Sequence, residues 1–308
     1  MTPTVSVVMA AKNYARFLPQ AVGSVFAQTV TDWELVVVDD GSSDHTPAAA
    51  RPFLADRRVR YVRADRLGQS RAKNLGVGLT RGEYVAFLDA DDAWHPAKLE
   101  RQLPLFDANP SVGVVHCGRS IIDEAGRSVG RPAPAGPRGK ALAPLFVYNS
   151  VCFSSVVVRR RVFGHVGGFD PFWDLAIDYD FWLRVAKHYE FDGVDEELVL
   201  YRTGHGNLSK KLSDRVATAL SIMHRAEGRY GVAGVVSAAV RDEAYASTCR
   251  TMGYVMRDAE PRAAAGWYGR ALCRAAGRVT SARGLLASLL RLPRRRAAGS
   301  AENATENV

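Results

Sequence analysis

Glu34-Leu35-Val36-Val37-Val38-Asp39-Asp40-Gly41-Ser42-Ser43-Asp44 is an apolar run that stops abruptly in acidic and turn-forming residues. Glu83-Tyr84-Val85-Ala86-Phe87-Leu88 repeats the pattern and ends in Asp89-Ala90-Asp91-Asp92. Short runs with little polar alternation fit strands buried on both faces, as in a parallel sheet covered by helices. The surrounding segments agree. Val5–Met9 and Val59–Val62 read as two more strands. Phe17, Leu18, Ala21, Val22, Val25 and Phe26 recur at helical spacing, Gly68–Leu79 reads as a helix, and Pro96 suits the first turn of a helix reaching Phe106. Ser43 and Asp44 suit the N-cap of a helix beside the first acidic cluster. Repeated β-α-β units with right-handed crossovers are therefore expected.

In open sheets of this kind, ligands bind outside the carboxyl ends of the strands. Both acidic clusters directly follow a strand, so they are expected at one rim despite their separation in sequence. Carboxylates there can accept hydrogen bonds from a ligand's N–H or hydroxyl groups, and Gly41 lets the backbone come close. Asp89, Asp91 and Asp92 can hold a hard divalent cation whose shell is completed by water and phosphate oxygens. Alone, each cluster is equally an acidic turn. Together they read as a site for a metal-bridged, phosphate-bearing ligand. No Gly-x-Gly-x-x-Gly follows Val5–Met9 and no phosphate-loop Gly-Lys-Ser/Thr occurs, which argues against dinucleotide oxidoreductases and P-loop NTPases.

The chain has 308 residues, 47% apolar and 24% charged, a composition that excludes collagen, a disordered tail and a disulfide-stapled mini-protein. No apolar run approaches the ~20 residues needed to span a bilayer. Met1-Thr2-Pro3-Thr4 carries no basic region, so no secretory signal is expected, and a cytoplasmic location is. Cys117, Cys152, Cys249 and Cys273 lack metal-ligand spacing and read as free thiols. Past Ser111 the rhythm changes. Val112–His116, Val151–Val158 and Leu198–Tyr201 look like strands, Asp123–Gly126 like a turn, Arg131–Gly139 like a mobile Pro/Gly-rich loop, and Asp178–His188 like a helix.

After Lys211 the sequence turns Ala- and Arg-rich and helical. Residues 211–308 hold 16 Lys and Arg against 8 Asp and Glu, nearly the whole net charge of +9. Leu285, Leu286, Leu289 and Leu290 form an apolar stripe flanked by Arg283, Arg291 and Arg294-Arg295-Arg296. Such a helix can lie on an anionic membrane, making the protein peripheral to its inner face, or pack its leucines inward. Nucleic acid is not an expected partner, because no binding module or interleaved aromatic pattern occurs.

The ordered set Val5–Met9, Asn13, Phe17-Leu18, Gln28-Thr29, Asp32–Asp44, Gly68-Gln69-Ser70-Arg71-Ala72-Lys73-Asn74-Leu75-Gly76, Gly82–Asp92, Gly167-Gly168-Phe169-Asp170 and Asp178–Arg184 resembles the family 2 glycosyltransferases over residues 4–210. The resemblance implies an α/β GT-A fold, a mostly parallel sheet flanked by helices, with a helical C-terminal extension. It implies a catalytic domain over 1–210 (a nucleotide-sugar half, 1–110, and an acceptor half, 111–210), a basic helical extension over 211–296 and a disordered tail over 297–308. The implied activity is inverting transfer of a sugar from a nucleotide-diphosphate donor, with Mg²⁺ or Mn²⁺, to a glycan, lipid-linked or small-molecule acceptor. Bacterial cell-surface glycan or glycoconjugate synthesis is the implied setting.

By the same resemblance, Asp39 and Asp40 contact the nucleoside, beside Ala11 and Asn13. Asp89 faces the ribose and Asp91 the metal, with Asp89 and His205 as further metal ligands. Lys73 and Arg202 face the phosphates. Asp178 matches the catalytic base and Asp180 is its runner-up. Ile177 stands where relatives carry Glu, and Lys12 where they often carry an aromatic. These two departures keep a different class open, a catalytically silent sugar-nucleotide-binding or scaffold protein. Trp182 is expected in the core and Trp173 as a sugar-stacking platform.

Overall fold

A computed structural model describes residues 2–204, 212–274 and 278–290. By its internal contacts the chain divides into two units: 1–141 with 150–205, and 142–149 with 206–308. The first unit contains strands β1 (Val5–Ala11), β2 (Trp33–Asp40), β3 (Val59–Ala64), β4 (Tyr84–Phe87), β5 (Ala93–Trp94), β6 (Val112–Ile122), β7 (Val157–Arg159) and β8 (Glu190–Arg202). Its helices are α1 (Leu18–Phe26), α2 (Thr46–Ala50), α3 (Gln69–Leu79), α4 (Lys98–Ala108), α6 (Arg160–Val166) and α7 (Ile177–Ala186), with α5 (Leu142–Val147) falling in the second unit.

The eight strands form one sheet in the order β3-β2-β1-β4-β7-β6-β8-β5. β3, β2, β1 and β4 pair in parallel, as their unbroken apolar runs require. Residues of alternate parity face opposite sides. Val5, Val7, Met9, Leu35 and Val37 pack beneath α1 and α4, while Val36 and Val38 meet Ala72 of α3. α3 sits close against β1, because a Cβ on Gly76 would lie 2.5 Å from Val8 Cγ1. The other half of the sheet is mixed: β7 runs antiparallel to both β4 and β6, β6 and β8 are parallel, and β5 caps β8 antiparallel.

Several elements differ from the sequence reading. β6 and β8 run far beyond Val112–His116 and Leu198–Tyr201. Register shifts around Cys117–Arg119 and exposed Asp195-Glu196-Glu197 break the alternation that would have announced them. Val151–Val158 is mostly not a strand. Ser155 Oγ donates to the Cys152 carbonyl (2.7 Å), and a 3₁₀ turn over Phe153–Ser155 results. Ser43 and Asp44 do not cap α2, whose N-cap is His45. Asp44 instead makes an Asx turn to the Thr46 N–H (2.9 Å) and accepts from the Ala15 N–H (3.1 Å). The 131–139 loop is tied down. Ala133 pairs with Arg119, Gly139 with Phe191, and His116 Nε2 donates to the Pro137 carbonyl (2.9 Å).

The second unit adds α8 (Leu212–Arg229), α9 (Val232–Val235), α10 (Ala238–Met256), α11 (Pro261–Cys273) and α12 (Arg278–Leu290). Of the α12 leucines whose side chains are described, Leu285 is partly buried and Leu286 is exposed. The buried face of α12 is Ser281 and Ser288, with Gly284 against the Tyr268 ring of α11, while Leu286 stays 54% exposed. Arg291 and Arg294–Arg296 lie outside the described residues, as do the side chains of Leu289 and Leu290. The cysteines are free thiols. No described helix is long and apolar enough to cross a membrane.

Behind the sheet lies a buried charge. Lys98 is fully buried, its Nζ donating to Gln102 Oε1 (2.7 Å) and sitting 4.1 Å from the Trp94 ring centroid. Burial pushes its pKa down to about 8. Between pH 8 and the ordinary lysine range near 10.5, the unfolded chain binds a proton that the native chain does not, so native stability rises with pH. Below pH 8 the full penalty applies. Lys98→Met removes this titration, so its stability relative to wild type should fall by something on the order of 3 kcal/mol as pH goes from 7 to 10.5. Paired urea unfolding curves across that range check it; a gap that does not change with pH would refute the buried charge.

Candidate active site

Strand geometry brings the acidic clusters together. Ala11 is level with Asp39 across the β1–β2 ladder, and Val8 is level with Phe87 across β1–β4. Asp39 and Asp89 therefore flank the carboxyl end of β1, about 10 Å apart at two strand spacings. The β1–α1 loop spans the gap. Asn13, at φ +63°, gives its N–H to Ser42 Oγ (2.9 Å) and accepts the Ser43 N–H on Oδ1 (2.8 Å). Tyr14, the next residue, turns its phenol towards the second cluster. Burial first, then the charges of Asp91, Asp89 and Asp92, push its pKa up.

The carboxylates of the first cluster are engaged by the chain itself. Asp39 is fully buried and accepts from the Ser42 N–H (2.8 Å) and the Tyr61 hydroxyl (2.5 Å). Asp40 accepts from the backbone N–H groups of Leu67 and Gly68 and pairs with Lys12 at 3.7 Å. Lys12 thus brings a cation to the Asp40 carboxylate. Beside Asp39 opens a cleft of about 550 Å³, lined by Gly41, Ser42, Ser43, Arg63, Ala64, Asp65 and Arg66. Arg63, level with Asp39 on β3, donates to the Ser42 carbonyl (3.0 Å).

In the second cluster, Asp89 keeps a 35% exposed side chain paired with Lys73 Nζ at 3.2 Å. Lys73 is buried and lies 3.9 Å from the Phe153 ring centroid. Asp92 is almost fully buried and accepts from Ser154 Oγ (2.5 Å) and the Arg202 N–H (2.8 Å). Burial, then Asp91 and Asp89, push the Asp92 carboxyl well above the ordinary range. Three carboxylates this close make a strongly negative corner of hard oxygen donors. Among the described residues no three-ligand His, Cys, Asp or Glu group can hold a metal by itself. The donor set fits a cation such as Mg²⁺ or Mn²⁺ bound through one or two carboxylates, the remainder of its shell coming from water and substrate.

Arg202, expected at the phosphates, is buried with its guanidinium on the chain itself. It is 1% exposed, and its guanidinium donates to the carbonyls of Asp91 (2.8 Å) and Asp123 (2.9 Å) and to Gln20 Oε1 (2.5 Å). Five donors in a rigid fork suit this backbone clamp, so Arg202 braces the acidic loop from behind. His205 lies outside the described residues. Asp178 stands half-buried in the first turn of α7, after Ala176 at φ +51°. Asp180 is fully buried and paired with Arg184 Nε at 2.9 Å; Arg184 also holds the carbonyls of Val166 and Gly168 (both 2.7 Å). Ile177 is buried. Trp182 packs in the core as expected. Trp173 does not form an open platform, since it is only 7% exposed.

α3 joins these parts. Lys73 reaches Asp89, Ser70 Oγ donates to the Trp173 carbonyl (2.9 Å), and Asn74 exchanges two hydrogen bonds with the Phe169 backbone (2.7 and 2.9 Å). Tyr61, Ser154 and Tyr14 were not legible as site residues. Tyr61 and Ser154 take their roles from tertiary placement, and Tyr14 stands beside Asn13 in the motif without a role assigned to it.

Residues 6–167, just over half of the chain, match the family model for glycosyl transferase family 2. An uncharacterized glycosyltransferase of Nostoc sp. is 35% identical over 211 residues, covering 66% of this chain and 65% of that protein. Chondroitin synthase of Escherichia coli is 28% identical over 235 residues, 75% of this chain but only 33% of the synthase. The chain thus spans less than two thirds of either relative. Among solved structures, TarS 1–349 of S. aureus with UDP-GlcNAc superposes with TM-score 0.58 at 15% identity, covering 96% of this chain and 93% of that one. A mannosyltransferase of Pyrobaculum calidifontis with GDP-Man and Mn²⁺ gives TM-score 0.56 at 20% identity, covering 94% and 87%. The fold is of the GT-A type.

The brace role of Arg202 is open to test. Arg202→Lys keeps the charge and loses the fork, leaving buried carbonyls unsatisfied. It should lower unfolding stability by roughly 3 kcal/mol in urea at pH 7. Unchanged stability with lost nucleotide affinity would return Arg202 to the phosphates.

Proposed function

The chain belongs to glycosyl transferase family 2, and from that premise we propose that it transfers a sugar from a nucleotide-diphosphate donor to an acceptor hydroxyl with inversion at the anomeric carbon. The observation that carries the reading is the pair of carboxylate clusters flanking the end of β1, about two strand spacings apart and bridged by the Asn13–Tyr14 loop. That span suits a nucleoside diphosphate. The nucleoside lies at the Asp39 rim and its cleft, with Ala11 and Asn13 beneath, and the diphosphate extends towards Asp89 and Lys73. UDP-, GDP- and dTDP-sugars all fit this reading. On it, residues 1–210 are the catalytic part, 1–110 for the donor and 111–210 for the acceptor, and residues 211–296 an extension.

In the proposed reaction the acceptor oxygen attacks the anomeric carbon from the face opposite the nucleotide. The new C–O bond forms as the bond to the diphosphate oxygen breaks. Asp178 takes the acceptor's proton, and the nucleoside diphosphate departs with the bonding pair. The choice of Asp178 over Asp180 rests on environment: Asp180 is buried against Arg184, whereas Asp178 retains exposed surface. Asp91 with Asp89 would hold Mg²⁺ or Mn²⁺, which when bound supplies Lewis-acid neutralisation of charge on the departing diphosphate. Lys73 holds Asp89 in place and adds positive charge on that side.

The setting proposed is glycan or glycoconjugate synthesis at a bacterial surface, with peripheral attachment to an anionic membrane through α12. Exposed Leu286 beside exposed Arg283 supports the attachment.

Asp178→Asn should lower kcat about 10²–10⁴-fold, with affinity for the nucleoside diphosphate within about twofold. Asp180→Asn should instead cost roughly 3 kcal/mol of stability, because Arg184 loses its buried partner. Nucleoside-diphosphate release across a donor panel, with EDTA and added Mg²⁺ or Mn²⁺, reads the first; urea unfolding reads the second. Full turnover in Asp178→Asn would remove it as base, and undiminished turnover in EDTA would remove the metal. In vesicle flotation, Leu286→Glu should release the protein from phosphatidylglycerol liposomes; equal flotation of both forms would exclude attachment through α12.

A further inference from the structure

The segment Asp170-Pro171-Phe172-Trp173-Asp174 carries a feature that the donor-side reading leaves unused. Phe172 is 75% exposed, more than any other large apolar side chain in the described residues. Exposing most of a phenylalanine forgoes roughly 1.5–3 kcal/mol of burial. The loop that holds it there is well fixed. Phe169 is buried between Phe87, Phe153 and Phe181, with ring centroids 4.7–5.7 Å away. Asn74 clamps its backbone, Ser70 holds the Trp173 carbonyl, and the Phe172 N–H is taken by Asp170 Oδ1 (2.9 Å). Trp173 is buried behind Phe172 and supports it edge to face, centroids 4.7 Å apart. This is a rigid, pre-positioned aromatic.

Its surroundings indicate a ligand. α7, with Asp178 in its first turn, starts three residues after the segment ends. Asp174 approaches Gly68 at the start of α3, where a Cβ would lie 3.9 Å from Asp174 Oδ1; Gly68 itself donates to Asp40. The segment thus runs from α3, which carries Lys73, to α7, which carries Asp178. Asp170 and Asp174 lie two residues before and two after Phe172 in the chain. An aromatic surface with hydroxyl-accepting carboxylates near it in the chain matches a sugar ring, which offers an apolar C–H face and a rim of hydroxyl donors. The same carboxylates disfavour a phosphate-bearing lipid carrier.

We propose that Phe172, and not Trp173, is the acceptor platform, and that the acceptor presents a pyranose ring bearing no phosphate next to the attacking hydroxyl. The proposal rests on the glycosyl-transfer reading and goes further by naming the acceptor class. It makes Phe172 a binding residue whose loss weakens acceptor capture and spares the chemical step.

The test uses the full chain with its active donor and compares methyl pyranosides and short oligosaccharides with glycerol and a short polyprenyl phosphate. Phe172→Ala should raise acceptor KM about three- to tenfold for ring acceptors, keep kcat within twofold and leave nucleoside-diphosphate Kd unchanged. Phe172→Trp should restore KM. An unchanged KM in Phe172→Ala overturns the proposal. So does an equal rise in nucleoside-diphosphate Kd, which would make the ring a base-stacking residue, or a dimer that falls to monomer in sedimentation. Preference for the polyprenyl phosphate overturns the acceptor class. If wild type releases no nucleoside diphosphate with any donor and acceptor, the transfer reading itself fails, and the nucleotide Kd separates that case from the others.

Discussion

The corner at the end of β4 concentrates like charge, and much of the surrounding architecture answers that problem. Asp89, Asp91 and Asp92 follow one another on a single turn, and two of them are more than nine-tenths buried. Burying carboxylates side by side is unfavourable unless each is hydrogen-bonded, paired or neutralised. All three remedies are used. Lys73 pairs with Asp89, Ser154 and the Arg202 N–H bond Asp92, and the burial of Asp92 favours its protonated form. The Arg202 guanidinium adds a clamp on the Asp91 backbone, so the turn cannot open to relieve the repulsion. These partners come from α3, from the 3₁₀ turn before β7 and from the end of β8. The long β8 delivers Arg202 to that point.

α3 carries this constraint to the other side of the site. One face is pressed against β1 and β2 through Ala72 and Gly76. Ser70, Lys73 and Asn74 lie on adjacent turns, so a single rigid helix fixes both the counter-charge of Asp89 and the loop that precedes α7. The Asp89 corner and the loop before α7 are therefore coupled through packing. A change that lets α3 shift, such as a side chain forced in at Gly76, would disturb both at once.

The parallel half of the fold was legible because strands buried on both faces leave continuous apolar runs, and because two of those runs end in acids at one rim. The mixed half was not. The bulges in β6 and the exposed acids of β8 erase the period that marks a strand, and Ser154 and Ser155 bend an apolar run into a turn. For the site, sequence identified which residue types mattered but carried no measure of depth. Arg202, given to the phosphates by resemblance, is a buried residue that braces the Asp91 backbone. Trp173 looked like a platform, yet the ring left in solvent belongs to its neighbour. In both cases the deciding quantity is exposure, set by contacts far away in sequence.

Depth also sorts the carboxylates, which sequence presents as equivalent. Asp39 and Asp40 have their oxygens taken by N–H groups, a hydroxyl and Lys12, so they hold a rim in shape and offer a fixed negative field. Asp92 is pushed towards its neutral form, and Asp180 is bound to Arg184. Asp89 and Asp178 keep the most exposed surface, one beside a lysine and the other at the start of a helix. Environment alone can set groups of one chemistry to different tasks, because burial and hydrogen bonding move their proton affinities apart. The proposed reaction, which holds a charged diphosphate and also accepts a proton, needs such a division. Here it comes from what packs behind each aspartate.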